Sequence, residues 1–356
     1  MVENLKQYKG KKVFLTGHTG FKGSWMLSWL HLLGANVRGF ALKPASNDLY
    51  KAIGGDALCS SVIANVLDAE RLHQEVLDFE PDFIFHLAAQ PLVRLSYQIP
   101  AETFAVNAMG TLNVLEAVRK LKNACAVVMI TTDKVYENHE SHYAYRENDP
   151  LGGYDPYSAS KACAEIIINS YRSAYFNSHD DHLHKKSIAS ARSGNVIGGG
   201  DWATDRIVPD IIRALKNQQP VIVRNPQAIR PWQHVLEPIS GYLLLGAAMA
   251  DYPLQFSKAY NFGPMPDDEC TVEHLVDQAL KTWGSGEYQN HTINGQPHEA
   301  FLLKLDINKA MDELHWKPKW YSSVAIKKTM EWYRKFDTAP NNALQLINET
   351  ISDYKN

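Results

Sequence analysis

Lys11-Lys12-Val13-Phe14-Leu15-Thr16-Gly17-His18-Thr19-Gly20-Phe21-Lys22-Gly23 is the stretch that decides the fold. A short apolar run follows the two lysines, three glycines recur at every third position, and an apolar helical pattern begins at Phe21. This reads as strand, tight turn and helix. Glycine accepts positive φ and lets backbone amides approach a pyrophosphate closely, while the helix N-terminus adds free N–H groups and the positive end of a dipole. Gly17, Thr19, Gly20, Phe21, Lys22 and Gly23 are therefore candidate contacts for a dinucleotide. The spacing is G-x-x-G-x-x-G, not the G-x-G-x-x-G of ordinary dehydrogenases. A glycine turn without a ligand is the competing reading.

Outward from this unit the chain alternates short apolar runs with amphipathic stretches, the pattern of a parallel sheet covered by helices. Strands are expected at 13–15, 37–42, 61–64, 83–87, 126–131 and 186–191, and helices at 21–33, 68–79, 101–121 and 158–175. The fold class is α/β, a doubly wound, Rossmann-like parallel sheet with a smaller mixed C-terminal lobe. The nucleotide-binding part spans 1–198 and the smaller lobe 199–356. Residues 235–262 are expected to return to the main sheet before helices at 272–283 and 324–336 build the second lobe.

Composition narrows the function. With 356 residues, 45% hydrophobic and 21% charged, the chain is long enough for one large or two intimately joined domains. A net charge of −3 and a pI near 6.5 give no basic field for nucleic acid. Cys59, Cys125, Cys163 and Cys270 are scattered without metal-ligand or disulfide spacing, so no metal site is expected and the thiols read as reduced. The N-terminus lacks the apolar run of a signal peptide and no stretch approaches the roughly 20 apolar residues of a membrane span. A cytoplasmic protein without membrane contact is expected. The histidines of 179–184 sit in a polar connection and read as solvated loop.

In folds of this kind an acid near the end of the second strand usually holds the adenosine ribose. Here Ala41-Leu42-Lys43 stands instead, and Lys43 either faces a 2′-phosphate or is solvated, so NAD is expected with NADP not excluded. Asn65, Val66 and Asp68 are placed to reach an adenine, with a helix cap as the alternative for Asp68.

Tyr157 and Lys161 lie on one face of a predicted helix, so the ammonium is expected to approach the phenol and lower its pKa from about 10 toward neutrality. That would make Tyr157 a usable base. Tyr8 and Lys12 share the spacing, but they straddle the entry to the first strand, away from the strand ends where such sheets bind ligands. Thr132, at the end of the fifth strand, is placed to bond a substrate hydroxyl beside Tyr157.

Gly17-x-x-Gly20-x-x-Gly23, His86-Leu87-Ala88-Ala89-Gln90, Thr131-Thr132-Asp133, Tyr157-x-x-x-Lys161 and Arg192-x-x-Asn195-Val196 together resemble the extended short-chain dehydrogenase/reductase family, specifically its nucleotide-sugar 4,6-dehydratases. The likeness runs from about residue 10 to 335. Within it, Thr-Thr-Asp-Lys-Val-Tyr, Gly-His-Thr-Gly-Phe-Lys-Gly-Ser-Trp and Arg230-Pro231-Trp232-Gln233-His234-Val235 are most similar to the branch acting on CDP-linked glucose; no residue reads cytosine from first principles. The resemblance implies a bound, recycled cofactor touched also by Leu87, Ala88, Ala89 and Thr131. It also implies oxidation at carbon 4 with Tyr157 as base, elimination across carbons 5 and 6 with Asp133 as acid, and hydride return to carbon 6. Deoxysugar biosynthesis of the kind that feeds lipopolysaccharide O-antigen would be the setting.

The departure is Lys134, where the dTDP-glucose branch places a glutamate as carbon-5 base. An ammonium cannot accept a proton, so Lys134 acts as a free amine, acts through water, or stabilises the developing enolate. For the substrate, Arg192, Asn195, Arg224 and Arg230 are candidates to converge on a diphosphate, guanidinium forks suiting phosphate oxygens. Gln90, Arg94, Tyr136, Thr132 and His298 complete the substrate candidates; Arg94 reads equally as a structural ion pair, and Tyr136 and His234 equally as packing residues. The resemblance further implies a homodimer or homotetramer built through 101–121 and 158–175. Two rivals stand beside this reading. A 4-epimerase or reductase needs Tyr157, Lys161 and Thr132 but no second acid/base pair, and Asp133 argues against it. A non-catalytic dinucleotide-sensing protein would not need both Tyr157 and Lys161.

Overall fold

A computed structural model describes residues 4–290 and 302–356. Seven strands, all paired in parallel, form the central sheet: β1 (Lys12–Thr16), β2 (Asn36–Ala41), β3 (Ser60–Ile63), β4 (Phe83–His86), β5 (Cys125–Ile130), β6 (Lys186–Ser193) and β7 (Ala259–Phe262). Their spatial order is β7-β6-β5-β4-β1-β2-β3, so the winding reverses between β1 and β4 and opens a crevice at the strands' carboxyl ends. Register fixes that crevice: Thr16 at the end of β1 pairs with Phe40 on one side and His86 on the other.

Helices α1 (Phe21–Leu32), α2 (Ala69–Phe79), α3 (Gly110–Lys120), α4 (Pro156–Ala174), α5 (Ile207–Lys216), α6 (Leu236–Asp251), α7 (Val272–Trp283), α8 (Ser322–Thr338) and α9 (Ala343–Lys355) cover the sheet and build the remainder. Local chemistry sets their starts. Pro156 occupies the first turn of α4, where its missing N–H is harmless, and Asp155 accepts from Ser158 N at 3.0 Å. The apolar segment around Tyr242 lies in α6, buried almost all round, as its sequence predicts. One buried cluster runs from Leu5 and Tyr8 through α1 and α6 to Ile351 and Tyr354, and a second packs Leu72, Val76, Leu115 and Val118 against the other face of the sheet.

The chain does not stay away from the sheet after Gly198. Helix α6 and strand β7 return to it, while short pairs, such as Val221–Val223 with Tyr288–Asn290, form outside the central sheet. The single helix expected over 101–121 is instead interrupted: Pro100–Phe104 passes through a widened π turn, Ala105–Met109, before α3. The turn carries Asn107, whose amide accepts from Gln90 N at 2.8 Å and donates to Gln90 O at 3.1 Å and Ser160 Oγ at 2.8 Å. Periodicity does not announce such a turn, because its partners lie far along the chain. Tyr8 is fully buried and donates to Leu243 O at 2.7 Å, so the competing Tyr8-x-x-x-Lys12 match is a core residue and an exposed lysine.

Candidate active site

A cleft of about 1690 Å³ runs along the carboxyl ends of the strands. The glycine loop forms its floor. Gly17 adopts φ +74°, and a Cβ there would stand 2.8 Å from Ala88 N, while a Cβ at Gly23 would collide with the Gly17 carbonyl. Only glycine fits either place. Helix α1 opens at Gly20 with no side-chain cap, leaving its first amides for a ligand. This cradle fits a dinucleotide pyrophosphate. Thr16 Oγ1 accepts from Leu87 N and Ala88 N, both at 3.1 Å, holding that strand end against the loop, and bonds His86 Nδ1 at 2.8 Å. Burial pushes the His86 imidazole down to about 3, so the ring is neutral.

Phe21, Leu87, Ala88, Ala89, Asn65, Val66 and Thr131 all line the cleft, as do Ala41 and Leu42. At the adenosine end the structure takes, for each of two residues, one of the two readings the sequence left open. Asp68 caps α2, accepting from Arg71 N at 3.0 Å, and does not line the cleft. Lys43 is exposed outside it. Thr19 lines the cleft but spends its hydroxyl on Leu42 O at 3.0 Å. Lys22 reaches across the floor to Ser193 Oγ at 3.1 Å and Tyr242 OH at 3.3 Å. Burial first, then the charges of Arg206 and Lys161, push its pKa down to about 7, with Asp133 opposing.

Thr132, Asp133, Lys134, Tyr157 and Lys161 share one wall. Thr132 Oγ1 donates to Asp133 Oδ1 at 2.9 Å, and Lys134 Nζ stands 3.7 Å from the same oxygen and 3.4 Å from Asn195 Oδ1. Asp133 Oδ2 is buried and has no partner among the described residues. The Tyr157 phenol does not follow the sequence expectation. Burial pushes it up to about 12, a hydrogen bond with Thr132 works the other way, and Asp133 raises it further. Lys161 donates to Ile130 O at 2.9 Å, and burial lowers its own pKa to about 8.

The substrate candidates divide. Arg94, Asn195, Arg224 and Arg230 line the cleft. Arg192 does not: its guanidinium is buried, donating to Glu165 Oε2 at 2.8 Å, Tyr136 OH at 2.8 Å and Glu147 O at 3.0 Å. Burial works against the Glu165 carboxylate, but Arg192 and hydrogen bonds from Thr131 and Ser190 carry it below its ordinary range. Arg192 is thus a structural cation behind the wall. Gln90 is also withdrawn, its amide bonded to Thr103 Oγ1 at 2.9 Å and to Leu92 N and O. Tyr136 lines the cleft with its ring only, since its hydroxyl donates to Asn261 Oδ1 at 2.7 Å and accepts from Arg192. His234 packs edge-on between Trp25 and Trp320. His298 lies outside the described residues. Asp205, Arg206, Ser193 and Gly194 line the cleft without having been singled out. Adjacency to Arg192-x-x-Asn195 was a signal for the last two. Tyr242 joins them through Ser193 Oγ at 2.6 Å and through Lys22.

The family model for GDP-mannose 4,6 dehydratase matches residues 14–329, from the first strand into α8. The chain belongs to this family. It is 46% identical over 348 residues to the CDP-glucose 4,6-dehydratase of Salmonella typhimurium (strain LT2), covering 98% of this chain and 97% of that protein. It is 26% identical over 345 residues to the dTDP-D-glucose 4,6-dehydratase of Mus musculus, covering 91% and 89%. In fold it is similar to the crystal structure of the dTDP-glucose 4,6-dehydratase from Bacillus anthracis in complex with NAD, at a TM-score of 0.76 and 21% identity over 92% of this chain and 98% of that one.

Proposed function

We infer that the chain catalyses the NAD-dependent 4,6-dehydration of CDP-D-glucose, giving CDP-4-keto-6-deoxy-D-glucose and water. One observation carries this reading: Thr132-Asp133-Lys134 faces Tyr157 and Lys161 beside a dinucleotide cradle, in a chain 46% identical to a CDP-glucose 4,6-dehydratase. NAD, when bound, supplies the hydride acceptor and donor and a cationic ring that favours phenolate. Gly17, Gly20 and Gly23 would hold its pyrophosphate, Asn65 and Val66 its adenine, and Lys161 its ribose. Tyr157 takes the proton of the 4-hydroxyl while Thr132 orients that hydroxyl. The 4-ketone then acidifies the hydrogen on carbon 5. Lys134 is the group on that side: as a free amine it takes the proton, and as an ammonium it holds the enolate oxygen. Asp133, protonated before this step, gives that proton to the departing 6-hydroxyl, which leaves as water. Arg94, Arg224 and Arg230 would meet the diphosphate.

A 4-epimerase reading is disfavoured by the buried Asp133 Oδ2, which no described residue engages and which oxidation and reduction at carbon 4 alone would not use. The test is incubation with NAD and CDP-, dTDP-, GDP- and UDP-hexoses, following the alkaline absorbance of 4-keto-6-deoxy product. Product from CDP-glucose is expected, and preference for another nucleotide overturns the assignment. A homodimer or homotetramer is supported by Phe104, Met109, Ile166 and Tyr175, apolar residues at least 36% exposed on and beside the two helical segments expected to associate. Sedimentation of Ile166→Glu tests it, with loss of assembly expected. No described helix is long and apolar enough to cross a membrane, and the four cysteines are unpaired, which supports a cytoplasmic enzyme of deoxysugar and O-antigen biosynthesis.

A further inference from the structure

Asp205 sits in the short loop before α5 with a left-handed backbone, φ +59°. Its Oδ1 faces two guanidiniums at once, Arg94 Nη1 at 3.6 Å and Arg224 Nη2 at 3.4 Å. The two arginines come from distant parts of the chain: Arg94 belongs to the helix Val93–Gln98 after β4, and Arg224 follows the strand Val221–Val223. All three residues line the cleft. The arrangement is loose, because one oxygen serves both cations and the carboxylate is 43% exposed. Exposed ion pairs of this kind hold weakly. Arg206 does not enlarge the group, since its own guanidinium pairs with Asp201 at 2.9 Å.

We propose that Asp205 is a built-in competitor for the diphosphate of the substrate, and thereby a specificity-determining residue: it holds Arg94 and Arg224 together until an anion with two adjacent phosphoryl groups takes both. The proposal rests on the nucleotide-sugar reading of the cleft. A diphosphate offers each guanidinium its own acceptors, at the short distances of charge-assisted bonds, so it outcompetes a single shared oxygen. A monophosphate satisfies one arginine and leaves the other to Asp205. The carboxylate therefore costs every anion some affinity, and costs a diphosphate most, because a diphosphate gives up both ion pairs and a monophosphate only one.

The test is calorimetric titration of CDP, UDP and CMP into the NAD-loaded protein and its Asp205→Asn variant. Asparagine accepts a left-handed backbone, and Asp205→Gly, which accepts it more readily, should give the same sign. Removing the charge should tighten both diphosphates about three- to tenfold, in keeping with the release of two weak ion pairs. CMP, which frees only one of the two pairs, should gain by a smaller factor, so the preference for diphosphate over monophosphate widens. Unchanged or weaker diphosphate binding in both variants overturns the proposal, the weaker result meaning that Asp205 organises the arginines for the ligand. The variant-to-parent ratio is read on both diphosphates, so a preference for UDP over CDP, which counts against the cytidine reading, leaves this test standing.

Discussion

Lys134 Nζ stands 3.7 Å from Asp133 Oδ1, so the two side chains assigned to the elimination are neighbours, and the acid role of Asp133 needs the proton on its carboxyl. The second oxygen of Asp133 stays free of partners among the described residues, and Lys134 keeps one side toward the cleft. Lys134→Ala should therefore separate the two halves of the reaction. Oxidation at carbon 4 persists, seen as transient reduced-nicotinamide absorbance, while product formation and solvent exchange at carbon 5 fall by about 10²–10⁴, the range for losing a positioned acid or base. Near-normal dehydration with unchanged exchange would remove Lys134 from the mechanism.

Tyr157→Phe should abolish even the first half-reaction. In the protein the phenol is pushed up to about 12, so neutral phenol dominates at neutral pH and the rate of carbon-4 oxidation should rise with pH. A pH-independent single-turnover rate would show that another group takes the proton.

Lys22 makes a prediction about stability. Its folded pKa of about 7 lies below the ordinary 10.5, so the unfolded chain binds more protons between those values. Stability of the cofactor-stripped protein from this group rises with pH through that window, and below it the penalty of the buried charge is complete. Lys22→Met should raise the melting temperature most near about pH 6, with the gain shrinking toward about pH 10. Equal gains at both ends would mean that the fold does not depress the lysine's pKa.

Gly194 is needed for space beside the acid. A Cβ there would lie 2.9 Å from Asp133 Oδ2 and 2.8 Å from Pro231 Cγ. Gly194→Ala should displace Asp133 and cost activity while leaving the melting temperature within a few degrees, because the clash falls on side chains at the cleft. Full activity would mean that the wall yields elsewhere.

Arg192→Met tests the reassignment of that residue. It leaves Glu165 buried without its cation, which costs about 3–5 kcal/mol in comparable cases. Denaturant unfolding should report that loss, with the Km for nucleotide sugar little changed where the protein still folds. A raised Km at undiminished stability would return Arg192 to the diphosphate.

The sequence by itself determined what local pattern can encode. The run from Lys11 to Gly23 set the first strand, the turn and the helix, because glycine positions and apolar periodicity are properties of neighbouring residues. The same holds for Tyr157 and Lys161, brought to one face by a single helical turn, and for Thr132 at a strand end. Tertiary structure decided the rest. Whether an arginine meets a ligand or a carboxylate depends on what stands behind it: Glu165 claimed Arg192, and Asp205 met Arg94 and Arg224, across separations that no periodicity records. Asp68 went to a helix end because α2 begins there. The Tyr157 phenol rose instead of falling because burial is a property of the assembled cleft. Residue spacing could place the reacting groups near one another, but only the packed structure set their solvation and their partners.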